Sequence, residues 1–280
     1  MTNTPLLAWP RVNYVRFPSA EPGSPLALAA QLRVPRQDER APAVVIAHGT
    51  AGIDSRGAYH AQALNAAGIA TLELDMWAPR GLDGGIGQRG RPESVVETLP
   101  DAFGALLYLA ARPDIDPQRI GIMGFSWGGI VSMLTATRPY NERYLGSKPL
   151  RFAAHAPFYP ICWTYNKVPG HEFRELTGAP VLIQSGACDD YDEPDTCETL
   201  VRSLPDAAQA KVTVTIYPDA AHGFNAIEPA HIVNDPYSHL GQGGAVKFEA
   251  HPGAAAKSRQ ATVEFFARSF AAAGSGRTTA

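Results

Sequence analysis

The run Ala43-Val44-Val45-Ile46-Ala47 offers no polar side chain to either face of a strand. Successive strand side chains point to opposite faces, so such a run belongs to a strand buried on both. Further strand candidates are residues 11–17, 26–34, 70–74, 119–125, 151–158, 181–183 and 212–217. Helical patterns fall between them at 55–67, 94–111, 127–138, 194–204 and 254–273, with Pro100 expected to kink or restart the second. Two leading strands followed by β-α repeats and a closing helix predict an α/β fold. Its mostly parallel central sheet should be flanked by helices on both faces. Gly-rich stretches at 76–92 and 228–253 read as long loops, and 274–280 as a disordered tail. No linker divides 1–273, which is expected to form one domain.

With 280 residues, 45% of them hydrophobic, the chain can bury a large core. A net charge of -3 gives no footprint for nucleic acid or an anionic membrane. No apolar stretch approaches the roughly 20 residues that cross a bilayer. Residues 1–11 lack the pattern of a secretory leader, so a cytoplasmic location is expected. Cys162, Cys188 and Cys197 show no metal-site spacing. Three reduced thiols are the first reading; a Cys162–Cys197 disulfide is the alternative.

The chemistry concentrates in Gly124-Phe125-Ser126-Trp127-Gly128-Gly129, between a strand and a helix. G-x-S-x-G in that setting is a nucleophile elbow: the turn lifts the serine to the carboxyl edge of the sheet. The Trp127 N–H, opening the helix, can donate to a developing oxyanion. A serine nucleophile needs a base and an orienting acid, in the order Ser, Asp/Glu, His along such a chain. Asp189 follows the strand at 181–183, with Asp190 and Asp192 as competitors, and His222 follows the strand at 212–217. A second oxyanion donor is expected from the loop after Ala47, where the Thr50 N–H is preferred and Ala51 comes next. His48 in that loop reads as structural. His231, His239 and His251 lack strand context, and no metal or organic cofactor is called for.

The segments VVIAHGTAG, LDMWAPRG, RIGIMGFSWGG, SGACDDYDEPDTC and YPDAAHGFN resemble the dienelactone hydrolase family of α/β-hydrolases, over about residues 11–270. The resemblance implies an α/β-hydrolase fold without a large cap domain, with Ser126 as nucleophile, Asp189 as acid and His222 as base. Two departures stand out. The namesake enzymes use a cysteine in the elbow and a glutamate where this chain has Gly49. They also clamp a lactone carboxylate with two arginines; Arg80 matches one, while Gly223-Phe224-Asn225-Ala226 stands where the other would be. The resemblance therefore implies a serine esterase acting on small acyl or aryl esters. A lactone hydrolase using Arg80, or a silent binding protein on the same fold, is the alternative. Substrate-binding candidates near the sheet edge are Trp77, Arg80, Phe158, Trp163 and Phe224, with Trp127 and Tyr159 beside them. The expected partner is a small-molecule ester or lactone.

Overall fold

The computed structural model describes residues 9–84 and 90–275. An eight-stranded sheet has the order β1-β2-β4-β3-β5-β6-β7-β8. β1 (Arg11–Pro18) pairs antiparallel with β2 (Ala27–Val34), and β2 antiparallel with β4 (Ala70–Asp75). From there every pairing is parallel, through β3 (Ala41–Ala47), β5 (Ile115–Phe125), β6 (His155–Phe158), β7 (Val181–Cys188) and β8 (Val212–Ala221).

The period of two sorts the sheet's side chains into two cores. Ala43, Val45 and Ala47 join one, with Leu99, Phe103 and Leu106 of α2 (Leu99–Ala110) and Val131 and Leu134 of α3 (Trp127–Leu134). Val44 and Ile46 join the other, with Leu64 of α1 (Ser55–Ala66) and Phe265, Phe266 and Phe270 of α8 (Pro252–Ser275). Helices cover both faces, as a strand apolar on both sides requires.

Local chemistry explains where elements differ from the sequence reading. The helix expected at 94–111 begins as a 3-10 turn, Val95–Thr98, under a Ser94/Glu97 capping box; the α-helix starts at Leu99 with Pro100 in its first turn. The helix expected at 127–138 breaks after Leu134. A separate α4 (Arg138–Leu145) follows, with Pro139 in its first turn. Only the end of 151–158 forms the ladder of β6. After α5 (Thr196–Arg202) and α6 (Asp206–Gln209) leads back to β8. The stretch 228–253 is no simple loop: β9 (His231–Asp235) and β10 (Gly244–Phe248) form an antiparallel hairpin across the short turn α7 (Ser238–Gly241). The hairpin meets the chain beyond β8 through an isolated bridge between Phe248 and His222, and among the described residues no large cap is present.

Cys162 and Cys197 are joined in a disulfide, against the first reading of three free thiols; Cys188 is free and exposed. The partners stand 35 residues apart, and α5 packs on the 3-10 turn Cys162–Thr164. α8 runs through Ser275, past the start of the tail expected at 274–280. The readings placed on 85–89 and 276–280, and most of that on 1–11, lie outside the described residues. No helix of the described residues is long and apolar enough to cross a membrane.

Candidate active site

β5 hands over to α3 at Ser126, whose backbone sits at φ 53°, ψ -110°. A non-glycine residue there carries real strain, of order 1–3 kcal/mol, and the surroundings must hold it. They do so by close packing of backbone. A Cβ on Gly124 would stand 2.2 Å from the Gly128 carbonyl oxygen, and one on Gly128 2.2 Å from that of Ala47. The Ser126 N–H donates to the Phe158 carbonyl at 3.0 Å, and its carbonyl accepts from Ile130 N at 2.9 Å. Strand, turn and helix thus lock one another, and Ser126 borders two cavities.

His222 follows β8 and is fully buried. Its Nδ1 meets Asp189 Oδ2 at 2.8 Å, and Asp189 Oδ1 accepts from Tyr191 N at 3.0 Å. The rings of Tyr159 and Tyr191 lie against the imidazole, each with its centroid 4.6 Å away. His222 Nε2 has no hydrogen-bond partner among the described residues. Of the three candidate carboxylates only Asp189 touches the imidazole. Asp190 Oδ2 accepts from Lys247 N, and Asp192 accepts from Cys162 N and Trp163 N. Burial, reinforced by the neighbouring Asp189, pushes the Asp192 carboxyl up to about 7.

The loop after β3 turns at Gly49–Gly52, closed by Gly52 N donating to Gly49 O at 3.0 Å. Thr50, at its tip, lines both cavities, and its carbonyl accepts from Trp77 Nε1 at 3.0 Å. His48 is anchored on both ring nitrogens: Nε2 accepts from Met76 N at 2.9 Å, and Nδ1 reaches Gly49 O at 2.8 Å. Burial drives its pKa down to about 4, so it stands neutral as a strut of the loop.

Of the expected substrate-binding residues only Trp127 lines either cavity beside Ser126. Trp77 is buried against His48 and Trp127 and braces Thr50. Arg80 is consumed by the Asp101 carboxylate and the carbonyls of Met76 and Glu97. Phe158, Tyr159 and Phe224 are fully buried in the core behind His222. Trp163 donates to the Tyr237 carbonyl and borders a separate surface groove with Leu200. Large aromatics serve cores as readily as pockets, and a sheet-edge position in sequence does not tell the two apart. The walls come instead from Val95, Trp127, Ile130, Ile161 and Val168, and from Arg91, Tyr191, Asp235 and Phe248. Tyr191 lies inside the acid loop and was within reach of sequence reasoning. Asp235 and Phe248 belong to the hairpin and carried no local signal.

Arg91 lies near Thr50 Oγ1 and Asp235 Oδ2, both at 3.4 Å, and over the Trp127 ring at 5.5 Å. The late histidines do not gather. His231 stacks on Phe248, His239 reaches the Ala245 carbonyl, and His251 accepts from Ala254 N. A ligand-type cluster among the described residues is Cys162, Asp192 and Cys197, whose two sulfurs are already bonded to each other.

Known proteins bear on this geometry. An uncharacterized protein of Mycobacterium tuberculosis is 33% identical over 187 residues, covering 65% of this chain and 63% of its own length. A protein described as a carboxymethylenebutenolidase in Escherichia coli O157:H7 is 31% identical, over 42% of this chain and 41% of its own. The chain thus matches less than two thirds of the length of these relatives. Esterase 2 of Thermogutta terrifontis, phosphorylated by paraoxon, superposes with a TM-score of 0.63 at 15% identity, covering 96% of this chain and 97% of that one. The model of the dienelactone hydrolase family matches residues 28–270. By that match over most of its length, the chain belongs to the dienelactone hydrolase family.

Proposed function

We propose that this protein hydrolyses carboxylic esters through an acyl-enzyme on Ser126. The observation that carries the reading is the buried His222. Its Nδ1 is fixed by Asp189 at 2.8 Å and its Nε2 is left unpartnered, and the strained Ser126 borders a cavity with Gly223, the residue next to His222. With Nδ1–H donated to the carboxylate, Nε2 is the basic nitrogen. It accepts the Ser126 proton as the hydroxyl attacks the ester carbonyl, and Asp189 stabilises the imidazolium. Apo enzymes often close the serine–histidine bond only once substrate is bound. The Trp127 and Thr50 amides hold the oxyanion, each such donor being worth about 100- to 1000-fold in rate. His222 then protonates the leaving alcohol, and water repeats the sequence to release the acid.

A fluorophosphonate probe tests this directly. It should label Ser126, as paraoxon phosphorylates the Thermogutta esterase, and Ser126→Ala should abolish both labelling and ester turnover. The expected loss is on the order of 10⁵-fold or more, with the melting temperature unchanged. Labelling that survives the substitution points to another nucleophile. Folded protein that neither labels nor turns over any ester supports the silent binder instead.

One observation favours a lactone carrying a carboxylate as a second reading: Arg91 borders the cavity beside Trp127. Arg80, the expected grip, is occupied by Asp101. A cytoplasmic location was expected, and the Cys162–Cys197 bond speaks against it, since reducing compartments keep thiols apart. Counting free thiols in protein purified from its own cell without reductant decides between them.

A further inference from the structure

Two cavities meet at Ser126, sharing Thr50, Tyr191 and Asp235 as their common border. The smaller, about 220 Å³, is walled by Trp127 and Ile130 of the helix that follows the serine and by Val95, Ile161 and Val168. The larger, about 380 Å³, lies on the other side, against Gly223 and Phe248. Gly223 adjoins His222, and the Phe248 ring stands 5.2 Å from the imidazole. In acyl transfer the histidine must deliver its proton to the departing oxygen, so the leaving group lies on the histidine's side. The unpartnered Nε2 of His222, fully buried, is short of the kind of polar atom that oxygen would supply.

The two sides also differ in charge. The larger cavity is bordered by Asp54, Glu228, Asp235 and Glu249 against a single cation, Arg56. Arg56 is held by Asp54, Asp235 faces Arg91, and Glu249 pairs with Lys247. Glu228 forms no salt bridge among the described residues, though Arg56 attracts it from farther off: its oxygens accept from Ser55 N at 2.9 Å and Ser55 Oγ at 2.7 Å. Burial works against its charge, but those two bonds hold its carboxyl below the usual range.

Resting on the Ser126 reading above, we propose that the larger cavity is the alcohol subsite and the smaller the acyl subsite. The substrates are then esters of small acids with bulkier alcohols, neutral or, preferentially, cationic. A cavity of about 150 Å³ is known to hold benzene. The smaller cavity, at about 220 Å³, therefore fits a phenyl-sized or short branched acyl group and no long chain.

Octyl butyrate and butyl octanoate are isomers that place the same long chain on opposite sides of the ester. The wild-type enzyme should favour octyl butyrate by about tenfold in kcat/KM, the scale of discrimination an apolar pocket supplies. For charge, three butyryl thioesters of similar size are compared: thiocholine, its neutral 3,3-dimethylbutyl analogue and the 3-sulfopropyl anion. The expected order is cation, neutral, anion, with about tenfold between the ends, as one like or opposite charge at partly screened range supports. Glu228→Gln should cut the preference for thiocholine over the neutral analogue, read as the ratio of the two rates within the variant. Butyl octanoate as the better isomer, or the anion as the best thioester, overturns the assignment. If no ester is turned over and Ser126 resists the fluorophosphonate, the ester reading itself has failed and takes this one with it. Labelled Ser126 with reversed preferences sinks the subsite assignment alone. The isomer pair is read on the wild type, so a misfolded Glu228→Gln variant does not blunt the test.

Discussion

The elbow and the cavity walls stand side by side, yet they are built by different means. Around Ser126 the contacts are between backbones: Gly124 against Gly128, Gly128 against Ala47, the Ser126 N–H on Phe158. No side chain chosen at one position could loosen that knot without breaking the sheet. The walls depend instead on side chains reaching across loops. Tyr191 donates its hydroxyl to Asp235 at 3.1 Å, and Arg91 spans to Asp235 and Thr50 at 3.4 Å. The hairpin that supplies Asp235 is fastened to the acid loop by His239 N on Asp190 O and Lys247 N on Asp190 Oδ2. On the proposed function, the difference teaches that core packing would set the reaction, whereas selectivity would be set by elements that can change without unfolding the sheet.

The sharpest test of that division is within the acid loop. Asp189→Asn keeps the shape but removes the charge that fixes the His222 tautomer, and should lower kcat by about 10⁴. Asp190→Asn, one residue on, disturbs only the hairpin's fastening and should leave kcat within about tenfold while shifting KM. Equal losses in kcat from the two would mean that hairpin and triad are not separable.

The disulfide probes the walls from the other end, since it ties α5 to the turn beside Ile161 and Thr164, both cavity residues. The Cys162→Ser/Cys197→Ser double variant should lose about 4 kcal/mol of stability, the loop-closure value for partners 35 residues apart, in denaturant titrations. Its kcat at a temperature well below the melt should be nearly unchanged. A collapse of kcat in still-folded protein would place the turn among the parts that set the chemistry.

Acid should strain the scaffold before it reaches the walls. His60, behind Phe125 and Phe158, has its pKa driven down to about 3 by burial first, and then by Arg259 and Arg56. Its folded form refuses a proton that the unfolded chain accepts below about 6.5. The stability it contributes is therefore whole above pH 6.5 and declines as pH falls toward 3. Buried Asp101 and Asp192, held up at about 6 and about 7, act with the opposite sign over part of that range. The clean readout is thus the slope: between pH 6.5 and 5, unfolding free energy should fall by about 2 kcal/mol more in the wild type than in His60→Gln. Equal slopes would mean that His60 is protonated in the fold.

The same division decides what could be read from the chain beforehand. The strands with uninterrupted apolar runs, the elbow, and the order of serine, acid and histidine are local patterns; Ser126 does sit at a strand-to-helix turn and Asp189 does meet His222, while their catalytic roles rest on the proposal above. The length of α8 and the break at Pro139 were misjudged by a few residues, because helix ends depend on caps and tertiary support. Apart from Trp127, the walls were not legible. Trp77, Phe158 and Phe224 are as apolar as any pocket residue, and only the packing of distant elements sends them into the core. Arg80 looked free until Asp101, 21 residues away, took its guanidinium. The hairpin was hidden because β9 and β10 are short and largely exposed, so neither shows a clean alternation.

The smallest effect tests the joint between the two regions. Tyr191 belongs to both: its N–H holds Asp189, its ring lies on His222, and its hydroxyl holds Asp235. Tyr191→Phe deletes only the last of these. Asp235 keeps Arg91 and the Tyr237 N–H, so the hairpin stays in place with one bond fewer, a difference of about 1 kcal/mol. Because the ring and the backbone bond are untouched, the imidazole should keep its orientation and kcat should stay within about twofold. The loosened border between the cavities should raise KM by a few fold, more for substrates that fill both sides than for a methyl ester that fills one. A drop in kcat with KM unchanged would reverse the assignment. The hydroxyl would then act through Asp235 on the position of His222, and the hairpin would count as part of the catalytic frame rather than as a replaceable wall.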